Sequence, residues 1–141
     1  MNAETIFSIA NTFALAGWLL LIFVPRWRWT RKIVIAGTIP LLLSVAYMVL
    51  VILFFGQADG GFDSLANVMK LFTNEWAVLA GWIHYLAFDL FVGSWEVKDS
   101  QEKGISHWLV IPCLVLTFLL GPIGFLLYNI IRFFMAEGEN K

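Results

Sequence analysis

Two ionisable side chains, His84 and Asp89, stand inside the apolar run from Trp76 to Trp95. Ionisable groups within a hydrocarbon-length segment are costly enough to mark functional positions. An imidazole can accept a proton and a neutral carboxyl can donate one, so the pair suggests proton-transfer chemistry with His84 as base and Asp89 as acid. Glu75 opens the same run and is a candidate second carboxyl. The triplet Thr73-Asn74-Glu75 also reads as a helix start, where an acid meets a favourable dipole.

Helical periodicity assigns faces. Positions seven apart share a face, so Glu75, Trp82 and Asp89 form one stripe, and His84, Phe88, Phe91 and Trp95 another. His84 and Asp89 are about 140° apart around the axis. They are not expected to hydrogen-bond directly, but to meet two parts of one long ligand or two neighbouring helices. Matching depths along antiparallel spans gives two polar layers: Asn11, Tyr47 and His84 in one, Thr38, Asp89 and Thr117 in the other. Asn11, Thr38, Tyr47 and Trp82 are therefore candidate ligand contacts. The plainer role for polar groups here is to hold helices together, and each needs a partner, because an unsatisfied polar group in hydrocarbon is expensive.

The elements that must position these residues follow from composition. Of 141 residues, 60% are hydrophobic and 13% charged, about half the charged share of a soluble domain. A water-soluble globule of this size could not bury so much apolar surface. Four continuous apolar runs, about 6–24, 33–55, 76–95 and 108–134, are each long enough or nearly so to cross a bilayer. They do not alternate, which favours helices over barrel strands. The expectation is one all-α membrane domain over residues 1–141, a bundle of four transmembrane helices. Between the second and third spans, Phe62, Leu65, Ala66, Met69 and Phe72 are spaced as a short interfacial helix over about 62–72. The fourth run exceeds the length needed and contains Pro112 and Gly121-Pro122-Ile123-Gly124, so a bent or tilted span is expected. Residues 96–106 are polar and read as a linker.

Short cytoplasmic loops collect Lys and Arg. Arg26, Arg28, Arg31, Lys32, Lys98 and Lys103 fall on one side of a four-span chain; Lys70, Arg132 and Lys141 fall on the other. Six cations against three place both termini outside the cytoplasm. Trp27, Trp29, Trp95 and Trp108 would line the inner interface. No basic leader precedes the first run, so it reads as a span rather than a cleaved signal.

Other chemistry is poorly served. A net charge of −1 gives no footing for nucleic acid. Cys113 is the single cysteine, which excludes an internal disulfide. There is no clustered metal-ligand set, phosphate loop or nucleophile elbow. A two-histidine haem would require a second chain, because His107 lies at the interface. No metal or cofactor is expected.

The segment Gly81-Trp82-Ile83-His84-Tyr85-Leu86-Ala87-Phe88-Asp89-Leu90, preceded by Asn74-Glu75, resembles the abscisic-acid-deficient-four-like family. So do Ser8-Ile9-Ala10-Asn11, Pro25-Arg26-Trp27, and Gly121-Pro122-Ile123-Gly124-Phe125-Leu126-Leu127-Tyr128. Plant members of that family are chloroplast membrane proteins needed to make neoxanthin. The resemblance implies a carotenoid role, and the bare membrane core suits a bacterial relative in the inner membrane. It makes a cofactor-free isomerase of a carotenoid or another isoprenoid lipid the leading expectation. The alternatives are a non-catalytic pigment- or lipid-binding protein or subunit of a larger membrane complex, and a small oligomeric transporter or channel. Membrane lipids are the expected surroundings. Gly37, Ser44, Gly121 and Gly124 would permit close helix contact within one chain or between copies.

Overall fold

The computed structural model describes residues 2–138; these are largely helical, with no strand among them. Helix α1 (Ala3–Phe23) starts at Asn2, whose side-chain oxygen accepts from the Thr5 amide at 2.9 Å, and it carries Glu4 in its first turn. Both features suit the positive end of a helix. The helix stops before Pro25, which cannot continue it. A short helix α2 (Arg28–Thr30) leads into a π-helical segment (Arg31–Ile35). Gly37, at φ +84°, turns the chain into α3 (Thr38–Phe54). The backbone there is left-handed, a conformation that favours glycine. Helix α4 (Leu65–Leu71) is one short element between α3 and α5, capped by Ser64.

Helix α5 (Glu75–Glu102) is the centre of the molecule. Asn74 caps it by accepting from the amides of Trp76 and Ala77. The expected polar linker from residue 96 is instead helical through Glu102. The physical reason is that no breaker occurs before Gly104, whose φ of +65° ends the helix. At 1.5 Å per residue α5 is about 42 Å long, more than the hydrocarbon core of a bilayer. It packs against α1, α3, the π segment and two further helices, α6 (His107–Leu120) and α7 (Pro122–Gly138). Leu21, Ile83, Leu90, Val97, Val110 and Leu114 are fully buried along these seams.

Among the described residues, three helices are long and apolar enough to cross a membrane: Ala3–Phe23, Arg28–Phe54 and Glu75–Glu102. Large apolar side chains such as Phe23, Ile52, Leu53 and Phe134 are exposed around the bundle, as side chains facing lipid would be. The fourth apolar run is not one long helix. It breaks at Gly121, φ +32°, and Pro122 begins the next helix. Pro at the first helical position loses no hydrogen bond, so Gly-Pro ends one helix and starts another.

The two halves of that run fold back on each other. Helix α6 starts at His107, whose Nε2 lies 2.9 Å from the Ile22 carbonyl oxygen at the end of α1. It rises until Tyr85 donates to the Phe118 carbonyl at 2.7 Å. Helix α7 then returns. Phe125 meets the Trp95 ring, Tyr128 reaches Asp99, and Arg132 pairs with Asp99 near the end of α5. Gly124 lies against the Thr117 backbone and the Cys113 carbonyl, a closeness that only a residue without Cβ allows. Consequently the start of α1 and the Arg132 end of α7 lie at opposite ends of the bundle, where a single bent fourth span would have put them together. Arg132 joins Arg26, Arg28, Arg31, Lys32, Lys98 and Lys103 at one end, leaving Lys70 at the other among the described residues; Lys141 lies outside them.

Candidate functional site

The turns of α5 present chemistry on two sides. On the α3 side, the His84 ring lies 5.5 Å from Tyr47 and 4.7 Å from Phe88. Pockets open above and below that aromatic group along the α3–α5 seam. The upper one, about 230 Å³, is bounded by Tyr47, Phe62, Leu71, Phe72, Gly81 and His84 among others. The lower one, about 420 Å³, is bounded by Gly37, Pro40, Ser44, Ala87, Phe88 and Phe91. Small residues and aromatic rings line a shallow apolar seam, with His84 as the ionisable group lining its upper part.

On the opposite side, α5 faces the α6–α7 hairpin. Asp89 stands midway along α5, and the hairpin tip presses on it: a Cβ on Gly121 would sit 2.9 Å from Asp89 Oδ1. One heptad further, Glu96 is fully buried and its Oε1 accepts from Thr117 Oγ1 at 2.9 Å. One turn beyond, Asp99 Oδ2 accepts from the Tyr128 hydroxyl at 2.7 Å. Arg132 Nε approaches the same oxygen at 2.8 Å, and its Nη2 donates to Oδ1 at 3.2 Å. Lys103 stands 4.0 Å from Asp99 on the outer edge. Asp89 Oδ2 and Glu96 Oε2 are buried without a hydrogen-bond partner.

These positions sort the residues expected from sequence. Tyr47 and His84 are brought together. Asn11 is not with them: its side-chain oxygen accepts from Trp82 Nε1 at 3.0 Å on the α1 side, and its amide donates to the Phe7 carbonyl. The polar layer Asn11–Tyr47–His84 is therefore split, because α1 and α3 meet different faces of α5. Thr38 does not join Asp89; it is exposed and donates to the Lys32 carbonyl at 3.2 Å. Thr117 serves Glu96 rather than Asp89. Glu75 is exposed in the first turn of α5, about 21 Å along the axis from Asp89. His84 and Asp89 face different neighbours, so the fold does not assemble them as one acid–base pair on a single pocket.

Glu96, Asp99, Tyr128 and Arg132 were absent from the sequence-derived candidates. One signal for Glu96 was present: the stripe Glu75, Trp82, Asp89 continues to Glu96 at the next heptad. Asp99 and Arg132 meet only because α7 returns, and no local pattern announces that.

The fold and these two sides define an all-helical protein with three candidate membrane-crossing helices and a folded-back helical pair. The chain belongs to the ABA DEFICIENT 4-like family, whose sequence pattern matches residues 5–128. Protein ABA DEFICIENT 4, chloroplastic, of Arabidopsis thaliana is 23% identical over 112 residues, covering 74% of this chain and 51% of that protein. The chain thus spans about half the length of that curated relative. No solved structure matches it.

Proposed function

We propose that this protein holds a long apolar ligand of the isoprenoid class, a carotenoid or a related lipid, along the α3–α5 seam, and that His84 acts on the ligand's middle. One observation carries the reading: on a helix long enough to cross the bilayer, a histidine lines one apolar pocket and lies 4.7 Å from Phe88, which lines the next. Aromatic walls suit the faces of a polyene, and a few polar groups in an otherwise apolar cleft suit a small-molecule site. The family resemblance supplies the ligand class.

As an enzyme it would be an isomerase needing no cofactor. His84 takes a proton from a polyene carbon, the freed electron pair forms the second double bond of an allene, and the carbon–oxygen bond of a neighbouring epoxide breaks. The oxygen then takes a proton and becomes a hydroxyl. Reactant and product are isomers, so no oxidant or reductant enters. Tyr47, whose ring lies 5.5 Å from that of His84, would supply that proton on this side of α5. Asp89 faces the hairpin and fits the acid role less well than sequence alone suggested. The end carrying Arg26, Arg28, Arg31, Lys32 and Arg132 faces the cytoplasm of a bacterial inner membrane.

The test is to purify the protein gently from a carotenoid-producing host and analyse the extracted lipid. The expected result is a stoichiometric polyene or isoprenoid lipid. Ser44→Phe, which fills the lower pocket, should lose it. His84→Ala should keep it and lose conversion. A bound ligand that wild-type protein never converts would leave a binding protein. Equal extraction from wild type and Ser44→Phe would sink the seam as the site.

A further inference from the structure

The hairpin side of α5 has chemistry that the seam does not use. Asp89 and Glu96 lie one heptad apart on one face, and each buries a carboxyl oxygen without a partner. Along α5, Glu96 stands one heptad from Asp89 and about one turn from Asp99, which Tyr128 contacts. Tyr128 donates to Asp99, which sits beside Arg132 and Lys103 at the basic end of the bundle. At the other end of this column the Tyr85 hydroxyl donates to the Phe118 carbonyl of the hairpin, and the hairpin tip at Gly121 lies against Asp89.

We infer that Asp89 and Glu96 are a proton-binding pair, loaded from the basic end of the bundle along Asp99, Tyr128 and Glu96, with the path ending at the hairpin tip. Two carboxyls with one free oxygen each are too few ligands for a divalent cation, which takes six or more oxygens. Among the described residues, no group of three or more His, Cys, Asp or Glu could hold a metal ion. A proton balances each buried charge with no further ligand. The groups facing the pair are Tyr85, Asp99 and Lys103 from α5, Thr117 and Cys113 from α6, and Tyr128 and Arg132 from α7. Helix α1 meets this region with Trp18 over Gly93. The path stops midway along α5, so it delivers protons to the middle of the bundle instead of conducting them through. This inference does not rest on the seam or its ligand.

The test is infrared spectroscopy of the purified full chain in lipid at neutral pH, reading the carbonyl stretch of protonated carboxylic acids during transfer to deuterated water. The expected result is such a band, shifting on deuteration and lost in part in both Glu96→Gln and Asp89→Asn. Glu96→Gln keeps an oxygen for Thr117. Tyr128→Phe should leave the band and slow its deuterium shift about tenfold, the effect of one lost hydrogen bond. Where Glu96→Gln fails to fold, Asp89→Asn and Tyr128→Phe carry the test. No band, a band that neither carboxyl variant alters, or exchange unchanged in Tyr128→Phe would overturn the inference. A band removed by sodium at fixed pH would overturn it in favour of a monovalent cation site.

Discussion

Gly124→Ala separates a folded-back hairpin from a straight fourth span, because the two predict opposite signs. In a straight helix Gly124 would stand about 16 Å along the axis from Cys113, and alanine would stabilise it by up to about 1 kcal/mol. In the observed fold a Cβ at Gly124 overlaps the Thr117 amide nitrogen, Thr117 Oγ1 and the Cys113 carbonyl oxygen. Two of those three atoms are backbone, so they cannot swing aside. Overpacking typically costs 1–3 kcal/mol, and this site belongs at about 3. Moving Thr117 also strains its hydrogen bond to the buried Glu96. Two control variants calibrate the scale. A Cβ at Gly17 meets Leu90 Cδ2 at 2.9 Å, a flexible methyl, for a cost of about 1 kcal/mol. A Cβ at Gly56 meets nothing within 4 Å, so its effect should stay within about 0.5 kcal/mol. For a chain of this size 1 kcal/mol moves the melting temperature by about 3 °C. Thermal unfolding in one detergent at one scan rate should therefore fall by about 9 °C for Gly124→Ala and about 3 °C for Gly17→Ala. A Gly124→Ala protein that melts with or above Gly56→Ala would refute the folded-back pair.

Reporter fusions after α7 and before α1 should report opposite sides of the membrane, with the carboxyl-terminal one on the side of Arg26–Lys32; matching sides would contradict the returning helix. Arg132→Met should destabilise by about 1–2 kcal/mol, below the range for a fully buried pair because the Arg132 side chain is 37% exposed. Adding Asp99→Asn should cost less than the sum of the single changes, and additive melting shifts would argue against direct coupling. Asn11→Ala should cost about 0.6 kcal/mol, the average polar contact between membrane helices, by removing the acceptor for Trp82 Nε1. A larger loss of bound ligand than of stability in that variant would move the ligand to the α1 side.

The long elements were legible because the information for them is local. Asn74 and Glu75 announced the start of α5, Pro25 the end of α1, and the spacing of Leu65, Ala66 and Met69 the short helix before α5. Local sequence is misleading where a polar residue is not an exposed one. Glu96, Asp99 and Ser100 look like a linker, yet all three are buried: Thr117 and Tyr128 of the hairpin donate to Glu96 and Asp99, and the Ser100 hydroxyl donates to the Val97 carbonyl of its own helix. Thr38 failed for the converse reason: its depth matched Asp89, but a hydroxyl at the start of a helix finds the nearby Lys32 carbonyl first.

By itself the sequence determined an apolar all-helical chain and marked Glu75, Trp82, His84 and Asp89 as one helix's chemistry, since composition and periodicity are properties of neighbouring residues. It also marked Gly121-Pro122 as a break. It did not determine whether the chain beyond that break continues across or returns. A Gly-Pro pair permits both, and the choice rests on contacts far apart in the chain: Gly124 against Cys113, Tyr128 and Arg132 against Asp99. Those contacts decided which end of the bundle α7 reaches, buried Glu96, and brought the hairpin tip onto Asp89. Only the tertiary structure could do so, because burial and pairing depend on which helix arrives on which face of α5.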